Sequence, residues 1–377
     1  MSSDCLKIVH TADIHLDQKQ YGFQERWYDM CRAFDRAVTF CIDQKVDALI
    51  LAGDVFNNPR PSKESLLFYK IMVRKLADAG VGLITMDGNH DLSDSGWQQL
   101  CDAPKPDVSG IPRTYSVRRW GLQVDVAAFP YMRGKQVQGA IKEWADAGNK
   151  ADIVVLHQMV EGLVPAVCPS EVVPSEILPY LKQAGAKYVA LGHVHKANEV
   201  TLDGILFAYS GSLEWTEHGE DHDKALVLME WRRSTGGMSF SRTLVEAPVR
   251  PSVDIAIETY EDLDSLAEKL KPMVSSEAPL LFIRYNTQLS DIADRIDQIV
   301  DHRFMYQSIP DGILVAPNLW DRTAQVMTLN EIVTKSFDPR SDEHSLVTSL
   351  LAVTDLTQVS GIVNAFLASK DLQLRVK

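Results

Sequence analysis

The sequence predicts an α/β layered domain over its first ~245 residues, then a smaller α+β unit and a helix-prone C-terminal segment. Three observations carry this. Short apolar runs of strand length alternate with longer stretches of helical periodicity. Clusters of Asp, Asn and His follow the apolar runs. Hydrophobic residues make up 45% of the 377-residue chain, enough to bury a full core.

Leu6-Lys7-Ile8-Val9 reads as the first strand. From Gln24 to Cys41 the apolar positions Trp27, Met30, Phe34, Val38 and Cys41 recur at helical spacing. Ala48-Leu49-Ile50-Leu51 is a continuous apolar run, short enough for a buried strand. Pro61-Ser62 opens a second helix with Leu66, Tyr69, Val73 and Leu76 on one face. Further strands are expected at Gly82 to Met86, Val124 to Phe129, Ile153 to Leu156, Tyr188 to Leu191, Ile205 to Tyr209 and Ala225 to Trp231. These strands fit two facing sheets or one large one, and the pattern does not choose between them.

Arg250-Pro251 marks a boundary. After it come a strand (Val253 to Ile257), a helix (Leu263, Leu266, Leu270), a strand (Leu280 to Tyr285), a helix (Ile292, Ile296, Ile299) and a strand (Phe304 to Ile309). From Met327 onward the apolar groups sit in helix-prone sequence, with Asp338-Pro339-Arg340-Ser341 as a loop. The expected divisions are therefore 1–248, 249–326 and 327–377.

No apolar run reaches the ~18 residues of a membrane span, so no membrane association is expected. Met1-Ser2-Ser3-Asp4 is not a basic-then-apolar leader. The five cysteines are scattered, with no CxxC pair, and are expected to be free thiols in a cytoplasmic setting. The net charge of −13 argues against nucleic-acid binding by bulk charge alone. Bound divalent cations would reverse the sign locally. Basic residues also recur near the clusters in sequence: Arg60 and Lys63, Arg118 and Arg119, Arg133 and Lys135, and Lys196.

The chemistry-bearing residues are Asp13 and His15, Asp54, Asn89 with His90, His157, and His193 with His195. Each cluster follows a strand, where ligands gather in open α/β folds. Gly53, Gly88 and Gly192 precede three of them, and a glycine lets backbone approach a cation or phosphate closely. In extended chain, residues i and i+2 share a face, so Asp13/His15 and His193/His195 are each expected to lie side by side. Such a donor set holds two divalent cations, roughly 3.5–4 Å apart, that clamp a phosphodiester and generate hydroxide. Mixed N and O donors suit Mn²⁺, Fe²⁺ or Zn²⁺ better than Ca²⁺ or Mg²⁺.

Thr11-Ala12-Asp13-Ile14-His15, Gly53-Asp54, Gly88-Asn89-His90-Asp91, His157 and Gly192-His193-Val194-His195 resemble the calcineurin-like metallophosphoesterases. Within them, Gln20-Tyr21-Gly22 through Arg26, Gly53-Asp54-Val55-Phe56 with Arg60-Pro61-Ser62, and Tyr209-Ser210-Gly211-Ser212-Leu213-Glu214 resemble the SbcD-type DNA-repair nucleases. The resemblance implies a layered β-sandwich flanked by helices, with a smaller DNA-capping domain and C-terminal helices.

It assigns one cation to Asp13, His15, Asp54 and His195. The other falls to Asp54, Asn89, His157 and His193, with Asp54 bridging. Manganese is the expected metal. His90 becomes the non-ligand histidine that stabilises charge and protonates the leaving 3′ oxygen. Asn57 stands where some members carry a histidine that places the phosphate, which leaves the balance of exonuclease and endonuclease action open. Asn57 and Arg60 are candidates for phosphate or DNA placement.

The implied partners are DNA, a second copy of the chain, and an SbcC-type coiled-coil ATPase docked on Leu346–Leu351 and Ile362–Phe366. The chain has no GxxxxGK[ST] loop, so ATP hydrolysis would come from that partner. The implied setting is the cytoplasm or the nucleoid. The competing reading is a small-molecule phosphodiesterase or nucleotide phosphohydrolase on the same metal core. A non-catalytic scaffold is opposed by the intact donor set and His90. A protein phosphatase is opposed by Val55-Phe56-Asn57-Asn58, which lacks the aspartate and arginine expected there.

Overall fold

The computed structural model describes residues 5–310, apart from 91, 93–100, 102, 104–111, 133–135, 165–169, 218–219, 221, 236, 275–277, 287, 290 and 301–303. Asp91, Arg133, Lys135, Cys168 and the helices expected over 327–377 lie outside the described residues.

Two sheets pack face to face, which decides the alternative the sequence left open. The first has the order β11-β10-β1-β2-β3. Its strands are β1 (Leu6–Thr11), β2 (Ala48–Leu51), β3 (Gly82–Thr85), β10 (Ala225–Ser234) and β11 (Gly237–Glu246). The second has the order β4-β5-β6-β7-β9-β8. It comprises β4 (Arg113–Arg119), β5 (Leu122–Ala128), β6 (Ile153–His157), β7 (Tyr188–Gly192), β8 (Asn198–Leu202) and β9 (Ile205–Tyr209). Leu6, Ile8 and Ile50 from the first sheet meet Val126, Val155 and Ala190 from the second in a buried layer between them.

The alternation along β1 and β2 sends Val9, Leu49 and Leu51 to the opposite face. There they are covered by α1 (Gln24–Asp43) and α2 (Lys63–Asp78), which contribute Phe34, Val38, Tyr69 and Leu76. The Ser62 hydroxyl accepts from the Ser65 amide and starts α2. On the far side of the second sheet, α3 (Gln136–Asp146) and α4 (Pro174–Ala184) bring Ile141, Ile177 and Leu181 against Val154 and Val189. The inner strands β2 and β9 are unbroken buried apolar runs because both faces of their sheets are covered.

Strands β4, β8 and β11 go beyond the sequence expectation. Their burial alternates or is mostly exposed, so they carry no continuous apolar run. They are held by pairing with β5, β9 and β10. Beyond Arg250 lies a separate three-stranded parallel sheet of β12 (Ser252–Ile257), β13 (Leu280–Tyr285) and β14 (Tyr306–Pro310). Here α5 (Tyr260–Leu270) and α6 (Ile292–Ile299) bury Leu263, Leu266 and Ile296 against Ile257 and Ile283. The Arg250 guanidinium donates to both Asp29 carboxylate oxygens on α1, at 2.7 and 2.9 Å, and to the Ala278 carbonyl at 2.7 Å. That arginine ties the chain just ahead of β13 to the helical layer. Among the described residues, no helix is long and apolar enough to cross a membrane.

Candidate metal centre

β1, β2 and β3 run parallel, as do β5, β6 and β7. Their carboxyl ends meet at one rim. The first sheet delivers Asp13, His15, Asp54, Asn89 and His90, and the second delivers His157, His193 and His195. The loops after β1 and β2 stay zipped together. Asp13 N donates to Gly53 O at 3.1 Å, His15 N to Asp54 O at 3.0 Å and Leu16 N to Val55 O at 2.9 Å.

Ligand atoms of Asp13, His15 and His195 lie within 4.8 Å of one another, and those of Asp54, His157 and His193 form a second such group. Asp54 Oδ2 stands between the groups, 3.3 Å from His157 Nε2 and 3.9 Å from His15 Nε2. Asn89 Oδ1 joins the second group, 2.7 Å from His193 Nδ1 and 3.1 Å from His157 Nε2.

His193 and His195 divide between the two groups, one to each, as the resemblance implied. Asp13, His15 and His193 have φ values of 54°, 50° and 94°. This is left-handed backbone, where the shared face of extended residues i and i+2 no longer applies. Non-glycine residues held there are strained by about 1–3 kcal/mol each, a cost that clusters at functional sites. The surrounding hydrogen bonds over-determine the geometry: both Asp13 oxygens accept the His193 amide at 3.1 Å.

Close approach requires glycine at Gly88 and Gly192. A Cβ on Gly88 would sit 2.1 Å from Asp54 Oδ1, and one on Gly192 would sit 2.0 Å from the Ala52 carbonyl.

Each of three imidazoles has one nitrogen engaged on its own protein partner. His157 Nδ1 donates to Ala52 O at 2.7 Å, and His15 Nδ1 donates to Asn57 Oδ1 at 3.1 Å. His195 Nδ1 donates to the Thr216 hydroxyl at 2.5 Å. The Nε2 lone pairs are thereby turned to the rim, as metal-binding histidines require. Asn57 thus serves the candidate ligand His15 with its side chain.

Burial and the neighbouring His195 hold His15 down at about 3, and burial with His157 does the same for His193. Burial also opposes charge on His157, but the Asp54 and Asp13 carboxylates outweigh it and raise that pKa to about 10. Burial opposes ionisation of Asp54 as well, yet His157 holds its carboxyl well below the usual range. Positive charge between the two carboxylates is therefore favoured, whether carried by a proton on His157 or by a divalent cation. Neutral His15 and His193, ionised Asp54 and glycine-lined backbone fit two such cations.

His90 sits at the edge of this set. Its amide donates to Asp54 Oδ1 at 2.9 Å, its ring meets His15 edge-on at 5.0 Å, and its Nδ1 donates to Asn57 O at 3.2 Å. His90 is exposed.

Arg60 is exposed on the following loop, its amide bonded to Asn58 Oδ1. Arg118 and Arg119 are not near the rim. They flank the amino end of β5, where Arg119 pairs with Asp47 ahead of β2. Nearness in sequence to a cluster misled there, because an antiparallel hairpin carries the chain to the far end of the sheet. Thr216, Glu220 and Lys224, which stand behind His195, were missed. They carry no periodic signal and sit in the loop before β10.

A family model for the calcineurin-like phosphoesterases matches residues 6–197. Among curated proteins, the DNA double-strand break repair protein Mre11 of Aeropyrum pernix is 28% identical over 222 residues, 55% of this chain and 53% of that protein. The Haloferax volcanii protein of the same name is 25% identical over 284 residues, 73% of this chain and 60% of its own length. The chain therefore spans between half and two thirds of the length of these two relatives. Among solved structures, a dimetal phosphatase from Danio rerio superposes with a TM-score of 0.45 at 10% identity, covering 65% of this chain and 100% of that one, too distant to add weight. The family match runs from the first strand to just past His195 and so takes in all seven candidate donors; the chain belongs to the calcineurin-like phosphoesterases.

Proposed function

We propose that the chain is a Mn²⁺-dependent DNA nuclease that hydrolyses phosphodiesters, as exonuclease, endonuclease or both, in processing broken DNA ends. The observation that carries the reading is the pair of donor groups, Asp13 with His15 and His195 and Asp54 with His157 and His193, with the His90 amide bonded to Asp54. Similarity to archaeal break-repair proteins directs the phosphodiesterase chemistry to DNA.

Asp13, His15, Asp54 and His195 hold one cation, and Asp54, Asn89, His157 and His193 the other. The cations, when bound, supply Lewis acidity and a hydroxide at neutral pH. The chain's own residues do the rest. Asp54 is fixed by the His90 amide, so its other oxygen faces both groups. His90, steadied through Nδ1 by the Asn57 carbonyl, presents Nε2 to protonate the leaving 3′ oxygen. Asn57 holds His15 in the ligating tautomer. Exposed Arg60 contacts the DNA backbone.

In this reading the sheet β12–β14 caps the DNA, and an SbcC-type ATPase docks on the segment 327–377. The chain pairs with a second copy and acts in the cytoplasm or on the nucleoid. Leu67 and Ile71 on α2, 61% and 51% exposed, support a dimer face there.

The test offers purified protein with Mn²⁺ three substrates: duplex DNA, single-stranded DNA and bis-p-nitrophenyl phosphate. DNA cleavage is expected. Hydrolysis of the small ester alone, with DNA untouched even beside an SbcC-type partner, rejects the nuclease reading. It would leave a small-molecule phosphodiesterase, which the net charge of −13 favours.

A further inference from the structure

Glu220 and Lys224 are an ion pair with no exposed side-chain surface, directly behind the metal centre. Lys224 Nζ donates to Glu220 Oε2 at 2.5 Å, to Ser212 Oγ at 2.7 Å and to the His195 carbonyl at 3.3 Å. Its ammonium also lies 5.2 Å from the centroid of the Trp215 ring. A buried ion pair is poorly explained by stability, since apolar replacements of similar volume are often neutral or better. What distinguishes this pair is what the second carboxylate oxygen does.

Glu220 Oε1 accepts the Thr216 hydroxyl proton at 2.7 Å. With that proton committed, Thr216 Oγ1 offers only lone pairs to His195 Nδ1, 2.5 Å away. Nδ1 must then carry the imidazole proton. Nε2 is left as the lone-pair nitrogen, and it faces His15 Nε2 at 3.1 Å. His195 Nδ1 also lies 3.4 Å from Glu220 Oε1, which can only accept, so donation runs one way, from His195 to Thr216 and Glu220. Lys224 cancels the carboxylate charge, so the arrangement orients His195 without adding net charge behind it. His15 and His157 are steadied by neutral oxygens, Asn57 Oδ1 and Ala52 O.

We propose that Thr216, Glu220 and Lys224 are positioning residues for His195 that set the cation affinity of the group Asp13, His15 and His195, independently of the group around His157. This rests on the reading above that His195 is a metal ligand. Thr216 contributes the hydroxyl, Glu220 fixes its proton, and Lys224 balances the charge.

The experiment is Mn²⁺ titration of the full chain by calorimetry and electron paramagnetic resonance, with Thr216→Val, Thr216→Ser and Glu220→Gln. Wild type is expected to bind two ions. Thr216→Val keeps the buried pair intact and should bind one ion as wild type does and the other about 10- to 100-fold more weakly. Thr216→Ser restores the hydroxyl and should restore the second affinity. Glu220→Gln should behave as Thr216→Val; if it fails to fold with Lys224 unpaired, the threonine variants decide. In a His157→Ala background, Thr216→Val should weaken the ion that remains. Two ions bound with unchanged affinities in Thr216→Val overturn the proposal and leave the metal assignment standing. Fewer than two ions bound by wild type overturn that assignment and the proposal with it.

Discussion

Gly88→Ala tests whether the rim is as tightly drawn as its distances imply. The new methyl would lie 2.1 Å from Asp54 Oδ1, 2.7 Å from Asp54 Cγ and 2.6 Å from the Asp54 amide nitrogen. Real Cβ atoms essentially never come within 3.0 Å of such atoms. Something must therefore give by the better part of an ångström. The carboxylate cannot swing freely, because Oδ1 accepts the His90 amide at 2.9 Å and Oδ2 is 3.3 Å from His157 Nε2. Nor can the Asp54 amide retreat, because the adjoining backbone is zipped to the loop after β1.

The relief must come from Asp54 tilting away or from Asn89 and His90 moving outward, and either disturbs the bridging position. Overpacking of this kind costs about 1–3 kcal/mol of stability. A displacement near 1 Å at reacting groups costs on the order of 10²-fold in rate. Gly88→Ala should therefore remain folded, bind Mn²⁺ with reduced stoichiometry or affinity, and lose on the order of 10²-fold in kcat towards bis-p-nitrophenyl phosphate. Calorimetry and the colorimetric assay measure both. A variant with two ions at wild-type affinity and near-normal turnover would refute the close-approach argument.

Three further outcomes are expected. His90→Ala should retain both ions while losing about 10²–10⁴-fold in turnover, read by calorimetry beside single-turnover kinetics; loss of bound metal would mean that His90 is a ligand. His10 lies buried between the sheets, 2.9 Å from the Tyr188 hydroxyl, and burial lowers its pKa to about 3. Below pH 6.5 the unfolded chain takes up a proton that the folded chain refuses, so stability falls by about 1.4 kcal/mol per pH unit until pH approaches 3. His10→Phe should flatten urea-unfolding stability against pH by that slope, and an unchanged slope would contradict the assignment. Arg250→Met removes one of the three arginines around Asp29, which keeps Arg26 and Arg32, and should cost about 1.5–3 kcal/mol. It should also expose the chain around residue 250 to limited proteolysis, and wild-type resistance would show that the arginine does not hold β12–β14 against α1.

Much of this protein was legible in one dimension. Ala48–Leu51 and Tyr188–Leu191 are unbroken apolar runs because both faces of their strands are buried, and that burial is written locally as composition. The rim's donors were legible for a related reason. Residue types that ligate metals, placed just past strand ends, must gather wherever parallel strands terminate together. Strand β4 was illegible because its residues alternate between half-buried and exposed, and pairing with β5 holds it in place.

The amino-acid sequence by itself determined the kinds of donor, the strand ends that carry them and the glycines that precede them, since these depend on near neighbours. Tertiary structure decided what the apolar periodicity left open, that the strands part into two facing sheets. It also gave Asn57 to His15, and set Glu220 and Lys224 behind the rim. Those pairings join residues far apart along the chain through left-handed turns and buried charge. No local pattern encodes such contacts, because their free energy exists only once distant segments have met.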